Sequence, residues 1–142
     1  MTKAALRPAV PDDEPYLRWL EEACMRNYAI ALWGSWRPRL ADALILGEYR
    51  IIAVGHEDVG CVSVTRREDH FWVNKLYVAP GHQKCGYGAI ALRQVLGEAR
   101  AIGLPVQLSV LTTNPAVAFY RREGLVIYEE TPERRFMTSG VR

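Results

Sequence analysis

Cysteine is scarce in this chain. Cys24, Cys61 and Cys85 are odd in number and far apart, and no Cys-x-x-Cys or Cys/His ligand spacing surrounds them. That excludes a disulfide framework and a zinc-finger type of site, and the expectation is reduced thiols in a cytoplasmic protein without structural metal. Excess charge is lacking too. The formal balance is +2, and the basic residues are scattered rather than striped, which argues against nucleic acid as a main partner. Long apolar runs are missing. Met1–Val10 lacks the core of a signal peptide, and no segment has the length of a membrane span. No repeat, linker or low-complexity stretch divides the chain, so one domain over residues 1–142 is expected.

What is present is a core-forming pattern, with apolar residues at 49%. Lys3–Ala9 reads as a short strand. Pro11-Asp12-Asp13-Glu14 then starts a helix with a capping Asp and acids in its first turn. Leu17, Leu20, Cys24 and Ala31 give that helix one buried face. Gly34 and Ser35 break it, and Pro38 opens a second short helix carrying Leu40, Ala43, Leu44 and Leu46. Tyr49–Val54, Val59–Arg66 and His70–Val78 read as strands. The short polar separators His56-Glu57-Asp58 and Arg67-Glu68-Asp69 make them an antiparallel meander.

A Gly86–Ile102 helix follows, with Ile90, Leu92, Val95, Leu96 and Ala99 as its apolar stripe and Gly103 as its stop. Val106–Leu111 is a strand. Asn114-Pro115 caps a helix that Gly124 closes, and Leu125–Glu130 and Arg134–Thr138 are final strands. The predicted order is βααβββαβαββ: an α/β (α+β mixed) fold, with a mixed, mostly antiparallel sheet and helices on both faces.

Two motifs carry chemistry. In Gln83-Lys84-Cys85-Gly86-Tyr87-Gly88-Ala89, a hydrophobic strand runs through a turn into glycines that open a helix. Backbone N–H groups from about Lys84 to Ala89, together with the positive helix end, can converge on a pyrophosphate. Alone, Gly-x-Gly also fits an ordinary tight strand-to-helix turn. A dinucleotide-binding βαβ unit is a poor match, since a meander precedes the glycines and the third glycine is absent. A P-loop fails because no Gly-Lys-Ser/Thr follows. The second motif is Asn114-Pro115-Ala116-Val117-Ala118-Phe119-Tyr120, leading to Gly124-Leu125. The Tyr120 phenol can donate a proton; taken singly, it is equally an amphipathic core tyrosine.

Gln-x-x-Gly-x-Gly after a strand ending in Val-x-Pro, followed by Asn…Ala-x-Phe-Tyr…Gly-Leu, resembles the GNAT superfamily of N-acetyltransferases, and the order of elements matches that fold as well. The resemblance implies acetyl-coenzyme A held where two parallel strands splay apart, here His70–Val78 and Val106–Leu111. The main chain around Leu76, Tyr77 and Val78 would pair with the pantetheine arm like an added strand, and an N–H there would stabilise the developing oxyanion. Gln83, Lys84, Cys85, Gly86, Tyr87, Gly88 and Ala89 would hold the pyrophosphate. Asn114 matches a coenzyme-contacting position, and it serves equally as a helix cap.

The implied reaction is direct attack of a primary amine on the thioester, with Tyr120 as general acid to the thiolate. The glutamate that some members carry as base falls at Trp72 here, which cannot take a proton. Asn74, on the same strand face, can orient water or substrate but cannot serve as base. The amine is expected to lose its proton through ordered water or to arrive neutral. Relatives usually carry Arg or Lys where this chain has Cys85; backbone donation survives that change.

Trp33-Gly34-Ser35-Trp36-Arg37-Pro38 would roof the acceptor, with Trp36 in the pocket and Trp33 plugging the core edge. His70, His82, Arg121-Arg122 and Arg134-Arg135 read as surface groups. The acceptor would be a small-molecule or peptide amine, with no nucleic acid, membrane or metal involved, and exposed sheet edges allow a homodimer. The competing function is a non-catalytic acyl-coenzyme A binding or sensing module.

Overall fold

The computed structural model describes residues 3–37 and 43–140. Seven strands form one sheet in the order β1-β2-β3-β4-β5-β7-β6. They are β1 (Ala4–Pro8), β2 (Tyr49–Val54), β3 (Glu57–Arg66), β4 (Phe71–Val78), β5 (Val106–Leu111), β6 (Val126–Glu130) and β7 (Arg134–Thr138). All neighbours pair antiparallel except β4 and β5, which run parallel. The Gly55-His56 turn between β2 and β3 is tight, with Gly55 at a φ of 64°. It lets β3 begin at Glu57, two residues before the expected start, and brings Glu57 opposite Val54.

Helices cover both faces, as the alternation of apolar residues along the strands requires. α1 (Glu14–Trp33) packs Leu17 and Leu20 against Tyr49, Ile51 and Cys61. α2 (Tyr87–Ala101) and α3 (Val117–Arg122) lie on the opposite face. There Leu92, Val95, Ala99 and Tyr120 join Val62, Phe71, Val73, Leu108 and Met137 in the larger core. Each such fully buried aliphatic or aromatic side chain contributes about 1.5–3 kcal/mol of transfer free energy.

Several expectations are corrected. A 3-10 turn, Pro11–Asp13, precedes α1, and Asp13 makes no side-chain cap to the helix. Its carboxylate instead accepts the Val10 N–H at 2.8 Å and two bonds from Arg7 at 2.9 and 3.0 Å. Ala31 is exposed and Cys24 only half-buried, while Ala29 is buried. The second half of α1 borders a cleft rather than solid core, and this moves its buried face. Ile90 is exposed and Ala91 takes its place beneath α2. α3 begins at Val117, because Asn114 Oδ1 accepts the Ala116 N–H at 3.0 Å and holds Pro115 in a turn before the helix. Of the predicted second helix, residues 38–42 lie outside the described residues. Among the described residues, only a 3-10 turn, Leu46–Glu48, stands between α1 and β2.

Candidate active site

The parallel pair β4–β5 is joined only at its start, through Phe71↔Val106 and Trp72↔Gln107. Beyond Trp72 the strands part. The register explains which atoms this exposes. The Phe71 N–H donates to Pro105 O, so Phe71 faces β5, whereas the Ala79 N–H donates to Val59 O, so Ala79 faces β3. Strict alternation cannot satisfy both. A bulge resolves the conflict: Ser63 pairs with Lys75 but Val64 pairs with Val73, leaving Asn74 as the extra residue. Counting back from Ala79, the main-chain groups of Leu76 and Val78 face the opening and Tyr77 faces β3. Of these, the Val78 carbonyl already accepts from Gln83 Nε2 at 2.9 Å and from the Cys24 thiol at 3.4 Å.

At the far end of β4 the chain turns into α2. Lys84 has a φ of 65° and Gly86 a φ of 85°. Only glycine takes such angles at no steric cost, and the strained Lys84 adds to the turning of the loop. Among the described residues, the backbone N–H groups of residues 83–89 donate to no protein acceptor. That is a run of unsatisfied donors at the N-terminus of a fifteen-residue helix, where the dipole favours an anion. One Gln83 side-chain N–H donates to the Val78 carbonyl at 2.9 Å, which turns that amide back toward β4. Cys85 is exposed, its thiol donating to Gln83 O at 3.6 Å.

The parting strands open into a cleft of about 1710 Å3. It is lined by Leu76, Tyr77, Val78, Gln83, Asn114 and Tyr120, while residues 84–89 lie beyond its edge. Tyr120 is 9% exposed, and burial pushes its phenol up to about 12. It therefore stays protonated through the whole physiological range, the state a proton donor needs. Its hydroxyl has no protein partner among the described residues. Burial likewise pushes the Cys24 thiol up to about 11, so no thiolate nucleophile stands there.

A family profile described as an acetyltransferase (GNAT) domain matches residues 46–126, more than half of the chain. The chain belongs to the GNAT acetyltransferases. Acetyltransferases of known structure align along nearly its whole length. The PaiA N-acetyltransferase of Thermoplasma acidophilum, solved with coenzyme A, superposes with a TM-score of 0.78 at 13% identity, covering 98% of this chain and 99% of that one. The ribosomal-protein-S18-alanine N-acetyltransferase of Escherichia coli gives 0.71 at 16%, covering 96% and 92%. N-acetylglutamate synthase of Neisseria gonorrhoeae, solved with coenzyme A and L-arginine, gives 0.72 at 19%, covering 97% of this chain. This GNAT chain spans only about a third of that protein, 33% of its length. At such identities the likeness is one of fold. No curated protein matches the sequence.

The remaining wall of the GNAT cleft is the sheet face under the end of α1. Trp72 lies on it against Phe136, ring centroids 6.5 Å apart. Asn74 donates to Ser63 Oγ at 3.2 Å and Thr65 Oγ1 at 2.9 Å. Trp36 lines the cleft, and its Nε1 is buried without a hydrogen-bond partner among the described residues. Trp33 does not plug the core: it is 48% exposed, and its Nε1 donates to Glu133 at 3.0 Å, tying the end of α1 to the turn before β7. Arg134 is not simply a solvated group, since it lines the cleft and donates to Ser109 at 3.3 Å.

Sequence reasoning missed Lys75, which binds Glu21 and lies 5.6 Å from the Tyr49 ring centroid. Burial works to lower its pKa, but the bonds to Glu21 and Tyr49 outweigh this and raise it. Glu48, on the same wall, was also missed. The strand pairing that brings β2 beside β3 was the one signal that could have placed it. Among the described residues, no group of three or more His, Cys, Asp or Glu could hold a metal, and no helix is long and apolar enough to cross a membrane.

Proposed function

We propose that this GNAT domain transfers an acetyl group from acetyl-coenzyme A to the primary amine of a small molecule or peptide, by direct attack in a ternary complex. One observation carries the reading: unsatisfied N–H groups of residues 83–89 stand beside a β4 edge left open from the Asn74 bulge to Val78. A diphosphate with a linear amide-containing arm fits both. The phosphates would take the loop donors, and the arm would lie along Leu76 and Val78 as an added strand.

The coenzyme supplies the activated acyl group. This chain's residues orient it and manage the protons. An N–H on the open edge of β4 would polarise the carbonyl, and Tyr120 would give its proton to the departing sulfur. Asn114, with Oδ1 committed to Ala116, retains Nδ2 for the coenzyme. Trp36, Trp72 and Asn74 would face the acceptor.

The test is acetyl-coenzyme A-dependent thiol release over polyamines, aminoglycosides, amino acids and peptide N-termini. Turnover with at least one of these supports the reading. Tight coenzyme binding with no release across the panel would refute it in favour of a binding module.

A further inference from the structure

The sheet wall beside Trp72 carries a carboxylate in an unusual setting. Glu48 closes the 3-10 turn that leads into β2, and it lines the cleft. Thr65 Oγ1 lies 2.7 Å from Glu48 Oε2, and Asn74 Nδ2 lies 2.9 Å from the same Thr65 oxygen. The direction of this chain is fixed by chemistry. An amide NH2 only donates, so Thr65 accepts from Asn74, and its single hydrogen must go to Glu48. Asn74 is the bulged residue at the mouth of the split between β4 and β5. Glu48 is therefore two hydrogen bonds from the point where β4 leaves β5.

Among the described residues, three carboxylates line the cleft: Glu21, Glu22 and Glu48. Glu21 is bound to Lys75, and Glu22 to Arg26 at 3.2 Å. Glu48 alone has no cation on it among the described residues. Of the other charged groups that face the cleft, Arg18 of α1 is paired with Glu14, Arg134 of β7 donates to Ser109, and Arg37 follows α1. An uncompensated carboxylate, held by the hydroxyl of Thr65, whose cross-strand partner Trp72 packs against Phe136, is complementary to an ammonium on an apolar body.

We propose that Glu48 receives the acceptor's ammonium group and takes its proton, so that the base of this enzyme comes from the turn that leads into β2 and not from β4, where Trp72 stands. The inference rests on the acetyl-transfer reading and replaces ordered water as the proton acceptor. The ammonium passes one proton to the Glu48 carboxylate. The freed nitrogen lone pair forms the C–N bond to the acetyl carbon as the C–S bond breaks, and the sulfur takes its proton from Tyr120. The second nitrogen proton restores the Tyr120 phenol, and the Glu48 proton leaves to solvent. The balance is ammonium plus acetyl-coenzyme A giving amide, free thiol and one proton. Asn74 and Thr65 are positioning residues for that carboxylate.

The test uses 2-phenylethylamine with wild type, Glu48→Gln and Thr65→Val. Glutamine still accepts the Thr65 bond, so Glu48→Gln keeps the local geometry, and Thr65→Val probes the positioning without touching the carboxylate. In Glu48→Gln, kcat/KM for the amine should fall about 100- to 1,000-fold at pH 7, with unchanged coenzyme affinity. The deficit should close as pH approaches the amine's own pKa near ~10, because neutral amine then arrives unaided. Thr65→Val should lose about tenfold with the same pH signature.

Binding is read separately by calorimetry of 2-phenylethylamine to the coenzyme A-saturated protein, where Glu48→Gln should weaken affinity at least tenfold. Rates in Glu48→Gln within twofold of wild type across the pH range, or amine binding indifferent to it, would overturn the assignment. Amine binding that depends on Glu48, with no thiol release from 2-phenylethylamine or from any amine of the panel, would uphold the ammonium site while refuting acetyl transfer.

Discussion

Replacing Tyr120 by phenylalanine removes one oxygen and nothing else from the cleft. The ring is buried in the larger core, against Phe119 at a centroid distance of 5.1 Å, and the hydroxyl has no protein partner to orphan among the described residues. Folding stability should therefore change by less than ~1 kcal/mol. The catalytic effect follows from proton affinities. A phenol held at about 12 by burial faces a thiolate whose conjugate acid ordinarily lies near ~8.5. Full transfer would be uphill by about 3.5 units, or ~5 kcal/mol, if the thiolate were in water. The sulfur departs into the same poorly hydrated space, which raises its basicity too and narrows that gap. The donation is thus partial in the transition state, which sets the benefit at the low end of general-acid catalysis, about 100-fold or ~2.7 kcal/mol.

The assay is thiol release at saturating coenzyme and amine, with thermal unfolding of both proteins as control. kcat should drop about 100-fold in Tyr120→Phe, the coenzyme KM should stay within about threefold, and wild type should show no loss of rate from phenol ionisation below pH ~11. A mutant kcat within twofold of wild type would refute the role of the phenol. A large fall in unfolding temperature would show that the hydroxyl serves the fold instead.

Gly86→Ala meets no atom within 4 Å, but it must hold a φ of 85°. It should cost ~1 kcal/mol in stability and at least tenfold in coenzyme affinity by calorimetry, and unchanged affinity would dismiss the loop as the phosphate site. Gly60→Ala would put a Cβ 2.2 Å from the Tyr77 carbonyl oxygen, pushing β4 away from β3. A loss of ~1–3 kcal/mol or more by denaturant unfolding is expected, and a neutral result would mean that β4 moves freely. Asp13 is held below the ordinary carboxylate range by its Arg7 hydrogen bonds, against the opposing pull of burial. Its stabilisation is complete above the unfolded value of ~4 and is lost as pH falls through the lower folded value. Asp13→Asn should cost ~1.5 kcal/mol near neutrality, at the low end because Arg7 is partly exposed, and should flatten the acid side of the stability profile.

Local pattern was enough for most elements, because strand alternation, short polar turns and the stops at Gly34, Gly103 and Gly124 act over a few residues. The donor-rich loop at residues 83–89 was legible for the same reason: glycines, a strand end and a helix start are neighbours in sequence. Boundaries slipped where longer-range contacts decided. Asp13 turned from the helix to Arg7, Ala31 came out to solvent and Trp33 beside a cleft rather than a core, and Ile90 yielded its place to Ala91 because the sheet sets which side of α2 is covered.

The sequence by itself determined the family pattern, the donor-rich turn at residues 83–89 and the phenol at position 120, each written in a contiguous motif. Only the tertiary structure decided where β4 changes phase, since the Asn74 bulge exists through pairing with β3. Only it assembled Glu48, Thr65 and Asn74, from one turn and two strands, onto one wall. Hydrogen bonds across a sheet join residues far apart along the chain, and no spacing in the sequence records them.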